Sequence, residues 1–297
     1  MLLRFFIICF FVFAKLNGAT HSFMLENDLF TGTDQHYTNG AFYTVLEDDT
    51  AITLAQLMFT PTDIANNQKI TDDYPYAGHI GLTWHFFLYN SNFFQNMGFS
   101  IGSVGPISKA ELAQRKVHKA RDITMPEGWH HQMENQATAG VLYQVGAKTK
   151  KLRVSDVEFD WTTNLRLDYG NFYSGANIGT IIRFGNHFPK NFPTTGAFFG
   201  GQESSMLNMK NVSGFKYSIS LGIYGNKVDI FYVIDEAHGY NVEAIDYTVG
   251  EFASFNLYYK KFEVELQFKS VYVNETKIDL IKVTEHHGAF TFRWKWD

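Results

Sequence analysis

The chain has 297 residues but only one cysteine, Cys9, which falls in an apolar segment near its start. A single cysteine cannot form an intramolecular disulfide, and loss of that first segment would leave no thiol for redox or nucleophilic chemistry. Beyond this segment, no apolar run approaches the roughly 20 residues of a membrane-spanning helix. The sequence therefore excludes a disulfide scaffold, a thiol enzyme and a bundle of transmembrane helices.

Signals for binding nucleotides or nucleic acids are also missing. The chain carries neither a P-loop nor a dinucleotide fingerprint, and its net charge of −5 comes without a basic, aromatic surface. The pairs His130–His131 and His286–His287 are adjacent, so their side chains point apart in an extended chain and lack a zinc-ligand spacing. We expect no nucleic-acid partner and assign no metal to these histidines.

The first residues have the order of a secretory signal peptide. Arg4 precedes an apolar run that ends at Ala14, and small residues follow as far as Ala19. This order predicts a signal peptide over residues 1–19 and a single domain over residues 20–297. Removal of residues 1–19 would take away two cations, Arg4 and Lys15, and change the net charge from −5 to −7. We therefore expect an exported, mildly acidic protein.

Long period-two alternation is the main structural signal in the remaining chain. Between Val157 and Tyr169, apolar and polar residues alternate over 13 positions. Strands in globular sheets usually have about five or six residues, whereas a tilted membrane strand has about nine to eleven. The polar face includes Asp160, where we expect replacement by asparagine to be tolerated. Similar alternation is found in residues 80–88, 215–223, 228–234, 253–259, 262–268 and 290–296.

This pattern predicts an all-β fold, a transmembrane antiparallel β-barrel. Aromatic residues make up 17% of the chain, yet its mean hydropathy is only −0.18, as expected when lipid-facing and lumen-facing residues alternate. A soluble sandwich would need a second set of strands to cover the apolar faces, and none is left over. The segment Gly225–Lys227 predicts a turn between two strands, and Lys260–Lys261 predicts another.

One segment departs from the β pattern. Ser108 and Glu111 have the spacing of a helix capping box, and the run from Leu112 to Ile123 lacks glycine and proline, so it predicts a short helix in an extracellular loop. Gln114 and His118 are four residues apart and would share one face of that helix. The helix is also the most basic part of the chain, which suits either a solvated face or anionic lipid headgroups.

The segment from Glu26 to Gly40 concentrates carboxylates, amides, hydroxyls and glycines between two predicted strands. A hairpin turn does not need so many oxygen donors, and hard cations such as calcium are bound by such oxygens. A polar loop that satisfies its own backbone through Asx turns is the alternative.

These motifs together resemble the outer-membrane lipid A 3'-O-deacylases of Gram-negative bacteria. The resemblance covers roughly the N-terminal half of the chain. Its motifs are Glu26-Asn27-Asp28, Thr33-Asp34, Tyr37-Thr38-Asn39-Gly40, Pro75-Tyr76-Ala77-Gly78, Gly102-Ser103-Val104-Gly105-Pro106, Gln114 with His118, and Gly128-Trp129-His130-His131-Gln132.

The resemblance implies a twelve-stranded barrel in the outer membrane, with an active site on the extracellular side between the barrel wall and a helix. It also implies calcium-dependent removal of the 3'-linked acyloxyacyl chain of lipid A, so the expected partners are lipopolysaccharide and outer-membrane lipids. We expect a monomer. The residues matched to the family's site are Asn27, Thr38, Gln114, His118 and Asp122 as catalytic residues, and Asp28 with Asn27 as metal ligands.

The chemistry of these residue types fits an ester hydrolase. A neutral His118 could take a proton from the attacking water, and a cation near Asp28 could offset the charge of the developing oxyanion. Two alternatives stay open at this point. One is a passive outer-membrane barrel, such as a small porin or an adhesin. The other is a serine-dependent outer-membrane phospholipase, for which Ser100 in the segment Gly98–Gly102 would be the nucleophile to test.

Overall fold

The computed structural model describes residues 18–27, 36–197, 199–234, 238–242, 247–273 and 285–296, with the backbone alone for residues 271–273, 285 and 286. The predicted signal peptide lies outside the described residues except for Gly18 and Ala19. Asp28 and the rest of the oxygen-rich segment up to residue 35 also lie outside them.

Thirteen antiparallel strands account for most of the described chain. They are β1 (Thr20–Asn27), β2 (His36–Glu47), β3 (Thr50–Thr60), β4 (Ala77–Tyr89), β5 (Phe93–Val104), β6 (Gln136–Lys148), β7 (Leu152–Val154), β8 (Val157–Gly170), β9 (Tyr173–Asn186), β10 (Val212–Phe231), β11 (Tyr247–Lys260), β12 (Phe262–Val273) and β13 (Glu285–Lys295).

Twelve of these strands close into a barrel, as predicted. Each of the twelve strands pairs with the one before it and the one after it around the ring: β6 pairs directly with β8, and β13 returns to pair with β1. The short β7 pairs only with β8 and lies outside the ring. We call the end of the barrel where β1 begins the turn end, and the opposite end, from which residues 61–76 and 105–135 emerge, the loop end.

The two faces of the wall have the predicted polarity. On β8, Trp161 and Leu167 are exposed on the outer face, whereas Asp160 and Asn164 are buried on the inner face. The outer apolar side chains of β8 have no protein layer over them, as expected of a barrel wall that faces lipid. The alternation predicted for this strand is therefore confirmed.

The predicted turn at Gly225–Lys227 is wrong. Residues 212–231 form one continuous strand, β10, that pairs with β9 on one side and with β11 on the other. Asn226 points into the barrel, where its amide contacts Asn177 at 2.7 Å and Thr248 at 3.2 Å. A polar residue in a barrel strand can thus face the lumen and satisfy its hydrogen bonds across neighbouring strands, without any turn.

The long connection between β9 and β10 folds back into the barrel from the turn end. Near its start, Asn191 binds the guanidinium of Arg183, and Phe192 packs in a buried cluster inside the wall. Further along, the ring of Phe199 lies 5.4 Å from the ring of Phe231 at the loop end. The described part of residues 187–211 therefore forms a plug that occupies the lumen, and a cavity of about 140 Å³ remains beside it.

A helix, α1 (Ala110–Arg121), forms close to the predicted position. The predicted capping box is wrong: Lys109 is the N-cap in a left-handed conformation, with no side-chain cap. Ser108 Oγ instead accepts a hydrogen bond from the N–H of Ala110 and donates one to the carbonyl of Gly105. Glu111 bonds Arg115 one turn later. None of the helices in the described ranges is long and apolar enough to cross a membrane.

Candidate functional site

The helical connection between β5 and β6 covers the outer surface of the wall at the loop end. Leu57 and Phe59 of β3 face the lumen core, so the alternate residues Gln56 and Met58 face outward. The amide of Gln56 donates to the carbonyl of Ser108 at 2.5 Å, and Met58 packs in a buried cluster with residues 76, 110 and 129. The connection thus shields this part of the outer wall, on β3 and β4, from lipid. Polar side chains can be buried beneath it.

Gly78 allows this close packing. It is the second residue of β4, and a Cβ atom at this position would overlap both Ser108 Oγ and Ala110 Cβ. A side chain here would push the start of α1 away from the barrel. The glycine therefore sets the distance between helix and wall.

One face of α1 is buried against the barrel. Ala110, Gln114 and His118 follow one another at intervals of four residues and are 1%, 3% and 4% exposed. Lys116 and Lys119 lie on the solvent side. The predicted shared face of Gln114 and His118 is thus the one turned towards the wall.

Trp129 holds the side chain of Gln114. The indole N–H donates a 2.7 Å hydrogen bond to Oε1 of Gln114, and Trp129 is completely buried. Among the described residues, Nε2 of Gln114 is buried without a hydrogen-bond partner. Buried amides are normally satisfied, so this donor suits an oxygen atom of a ligand.

A backbone carbonyl orients His118. Its Nδ1 lies 2.5 Å from the carbonyl oxygen of Thr124, which can only accept a hydrogen bond. Nδ1 must therefore carry the proton, and in the neutral imidazole the lone pair is on Nε2. This is the tautomer of a general base that acts through Nε2.

Asn27 and Thr38 are joined on the outer side of β1 and β2. Nδ2 of Asn27 donates to the carbonyl of Thr38 at 2.9 Å, and Thr38 Oγ1 lies 2.6 Å from Oγ1 of Thr60. Thr38 occupies a β-bulge, because its neighbours Tyr37 and Asn39 pair with consecutive residues of β3. Bulges redirect side chains and are frequent beside active sites.

Asp122 lies apart from the buried row. It caps the C-terminus of α1 in a left-handed conformation with φ of 54° and is exposed. The structure therefore brings Gln114 and His118 together on the wall side of the helix and leaves the Asp122 carboxylate in solvent.

The metal prediction falls mainly outside the described residues, because Asp28 is not among them. Within the described ranges, no group of three or more histidine, cysteine, aspartate or glutamate residues is arranged to bind a metal. Asn27 is described, and its amide nitrogen donates to the Thr38 carbonyl. Hard cations such as calcium take oxygen ligands, so Oδ1 would be the ligating atom of Asn27.

The loop of residues 61–76 is anchored next to this site by Asp73. Its carboxylate contacts His36 Nε2 at 3.1 Å and accepts hydrogen bonds from the backbone N–H groups of Thr62 and Tyr74. Burial alone would raise the pKa of Asp73, but these hydrogen bonds outweigh it and lower the pKa to about 2. Asp73 is thus a fixed negative charge at neutral pH.

Sequence reasoning missed the supporting groups of the site. Trp129 was part of a matched motif without a role, and Thr124 was not singled out. A tryptophan in a polar connection is a usable signal, since a buried indole N–H needs an acceptor. A backbone carbonyl such as that of Thr124 leaves no signal in the sequence.

Ser100 does not have the setting of a nucleophile. It lies within β5, and its hydroxyl contacts the carbonyl of Gly140 at 3.5 Å. A nucleophile elbow would require a strand-to-helix turn at this position. The geometry therefore gives the serine phospholipase alternative no support.

A closed barrel with an apolar exterior and a plugged lumen defines an outer-membrane β-barrel protein, and the buried side chains of Gln114 and His118 lie on the outer side of its wall. The family model described as outer membrane protein LpxR matches residues 1–296, so the chain belongs to this family. It is accordingly an outer-membrane lipid A 3'-O-deacylase that acts on lipopolysaccharide, and the passive-barrel alternative is wrong.

One solved structure has the same fold, and two others with lower TM-scores are given beside it for comparison. LpxR from Salmonella typhimurium is 16% identical, with a TM-score of 0.76 over 93% of this chain and 100% of that chain. The KdgM porin is 8% identical, with a TM-score of 0.42 over 94% of this chain and 99% of that chain. The β domain of the Bordetella autotransporter BrkA is 11% identical, with a TM-score of 0.41 over 94% and 99%. The search of curated proteins found no match.

Proposed function

We propose that His118 is the general base of the deacylation. The observation that carries this proposal is the hydrogen bond of Nδ1 to the Thr124 carbonyl, which places the lone pair of the neutral imidazole on Nε2, the atom that would accept the proton. The oxygen of a water molecule attacks the ester carbonyl carbon while its proton passes to Nε2. The tetrahedral intermediate then breaks its bond to the sugar oxygen, which takes the proton from His118. The products are a free acid and a lipid A with a 3'-hydroxyl group.

Gln114 supports this step as a donor. Its Oε1 is bound by Trp129, so Nε2 has a defined direction and is a donor for the ester oxygen as negative charge develops there. An amide can donate to an oxyanion but cannot accept the proton of water at neutral pH. Gln114 therefore complements His118 on the same face of α1.

Asn27 and Asp28 are the residues that would hold calcium. Amide and carboxylate oxygens match the preference of this ion, and calcium bound there would offset negative charge on the ester oxygen. In the absence of the ion, Asn27 still contributes by linking β1 to the bulge at Thr38.

We assign the loop end to the extracellular side. At the turn end, the connections 48–49 and 90–92 are tight and the long connection 187–211 forms the plug inside the lumen, whereas the long connections 61–76 and 105–135 emerge from the loop end. Outer-membrane barrels have short periplasmic turns and longer extracellular loops. A barrel that closes on itself leaves no open strand edge, which supports a monomer.

The test compares lipid A from cells that produce the wild type or His118→Ala. Mass spectrometry should find the 3'-acyloxyacyl chain removed by the wild type and retained in the variant, because general-base assistance is worth about 10²–10⁴-fold. His130→Ala is the matched control, since His130 lies in the same connection but is exposed. Full deacylation by His118→Ala, with the barrel folded, would exclude His118 as the base.

Asp122 remains a candidate catalytic residue, and the deacylation activity of Asp122→Asn tests this role. This substitution keeps the size of the side chain and its place at the C-cap. Because the carboxylate is exposed, we expect little loss of activity. A loss as large as that of His118→Ala would instead assign it to the reaction.

A further inference from the structure

A second contact between β1 and β2 lies inside the barrel, directly behind the outer pair Asn27 and Thr38. The hydroxyl of Tyr37 donates a 2.7 Å hydrogen bond to Oε2 of Glu26, and the two residues are 8% and 0% exposed. Glu26 precedes Asn27 in the chain, and Tyr37 precedes Thr38. At this point β1 and β2 are thus joined by two hydrogen bonds, Glu26–Tyr37 on the lumen side and Asn27–Thr38 on the outer side.

Because Thr38 is in a bulge, its position depends on the contact between Glu26 and Tyr37 on the lumen side. Tyr37 pairs with Phe59 and Asn39 with Met58, so Thr38 has no partner of its own in the ladder with β3. A bulged residue is not held by regular ladder hydrogen bonds. Its position therefore depends on contacts made by its own side chain and by its immediate neighbours.

The inner contact is itself held by the plug and by β12. The N–H of Gly200 donates to Glu26 Oε2 at 3.2 Å, and Lys269 Nζ lies 3.7 Å from Glu26 Oε1. The ring of Phe199 lies 4.8 Å from that of Tyr37. Phe199 and Gly200, which we call the plug tip, thus contact Tyr37 and Glu26 respectively.

Gly40 provides the space for the tyrosine hydroxyl. It pairs with Glu26 across β1 and β2, and a Cβ atom at Gly40 would overlap the Tyr37 hydroxyl. The short distance between Tyr37 and Glu26 thus requires a residue without a side chain at this position.

We propose that Glu26 and Tyr37 are positioning residues for the deacylation. Their hydrogen bond in the lumen holds the bulge in the arrangement that places Asn27 and Thr38 on the outer surface, and the plug tip holds that hydrogen bond in place. The inference rests on the proposed function in one respect, namely that Asn27 and Thr38 belong to the active site. Neither Glu26 nor Tyr37 touches the substrate, because both face the lumen.

The first test is Tyr37→Phe, which removes the hydroxyl and keeps the ring. We expect kcat to fall about 10- to 100-fold, the scale of a small misplacement of reacting groups, with KM for lipid A nearly unchanged. Tyr258→Phe is the matched control, since Tyr258 is buried inside the same barrel and its hydroxyl contacts Ser218 at 3.0 Å near the turn end. Equal activities of the two variants would overturn the proposal.

Glu26→Gln separates positioning from stability. A glutamine oxygen can still accept hydrogen bonds from Tyr37 and Gly200, but the ion pair with Lys269 is lost. We expect this variant to unfold at a lower temperature and yet keep kcat within a few-fold of the wild type. If kcat instead follows stability across Tyr37→Phe, Glu26→Gln and Glu26→Ala, the role is structural and the proposal fails.

Combination with Asn27→Ala distinguishes failure of this inference from failure of the proposed site. If Tyr37 acts through the outer pair, Tyr37→Phe should cost much less in the Asn27→Ala background than in the wild type. If the fold-losses in kcat of the two single variants multiply fully in the double variant, the positioning role is overturned and Asn27 stays in the site. An Asn27→Ala variant with unchanged activity would remove Asn27 from the site and overturn both.

Discussion

The indole nitrogen of Trp129 donates a 2.7 Å hydrogen bond to Oε1 of Gln114, and both side chains are buried between α1 and the barrel wall. This contact links two parts of one connection that are 15 residues apart. It settles which end of the Gln114 amide is held by the protein and which end can meet a ligand.

Trp129→Phe should therefore lower deacylation without unfolding the barrel. A lost buried hydrogen bond is worth about 1 kcal/mol, so we expect a loss of roughly five- to tenfold in kcat. Trp84→Phe is the control, because Trp84 stacks on Phe99 on the lipid-facing wall and should have no effect on rate. Rates measured on purified lipid A give the comparison, and equal rates for the two variants would count against the role of Gln114.

The pH dependence of the wild type should report on His118. Only a neutral imidazole can accept the proton of water, so we expect deacylation to slow as the medium is acidified. The residual activity of His118→Ala should lack this dependence. A wild-type rate that does not change on acidification would contradict the general-base role.

The titration of Asp73 should not contribute to the pH dependence of the deacylation rate. Its hydrogen bonds lower its folded pKa to about 2, below the ordinary value of about 3.9. The stability that it provides is therefore complete above about pH 4 and is lost as the pH falls through about 2. Asp73→Asn should lower the melting temperature at neutral pH and leave the shape of the pH–rate curve unchanged.

If Asn27 and Asp28 bind calcium, removal of calcium by a chelator should abolish deacylation. Calcium should restore activity better than magnesium, which requires a smaller and stricter octahedral site. Asp28→Asn should raise the calcium concentration needed for half-maximal activity, whereas Asp156→Asn, at an exposed turn on the other end of the barrel, should not. Full activity in excess chelator would rule out a role for the ion.

Leu165→Arg should block assembly of the barrel. Leu165 is 37% exposed on the outer face of β8, and arginine near the middle of the bilayer costs about 2–4 kcal/mol. The same substitution at Leu152, in β7 outside the ring and between Lys151 and Arg153, should be tolerated. Heat-modifiable migration on gels measures folding in both cases, and normal folding of Leu165→Arg would argue against contact with lipid.

Asp160→Asn should destabilise the protein, contrary to the expectation from its place on a polar face. Asp160 is buried in the lumen and pairs with Arg183 at 2.7 Å, and Arg183 is 1% exposed. Loss of one partner of a buried ion pair typically costs about 3–5 kcal/mol. Asp168→Asn, on the same strand and less buried, should cost less, as thermal unfolding in detergent would reveal.

The sequence alone determined the architecture and the shared helix face of Gln114 and His118. Period-two alternation follows from the geometry of an extended chain, so the inner and outer faces of β8 could be read directly from residues 157–169. The spacing of Gln114 and His118 likewise determines a shared helix face, because four residues make about one turn. Both patterns are local and need no knowledge of neighbouring strands.

Only the tertiary structure decided what each polar group contacts. Gly225–Lys227 has the composition of a turn, and it is the partners across the strands, Asn177 and Thr248, that keep it in β10. The bulge at Thr38 depends on the register with β3, and the buried state of Asp160 depends on Arg183 from the next strand. These contacts join residues far apart in the chain, so the free energy that selects them arises only when the barrel closes around its plug.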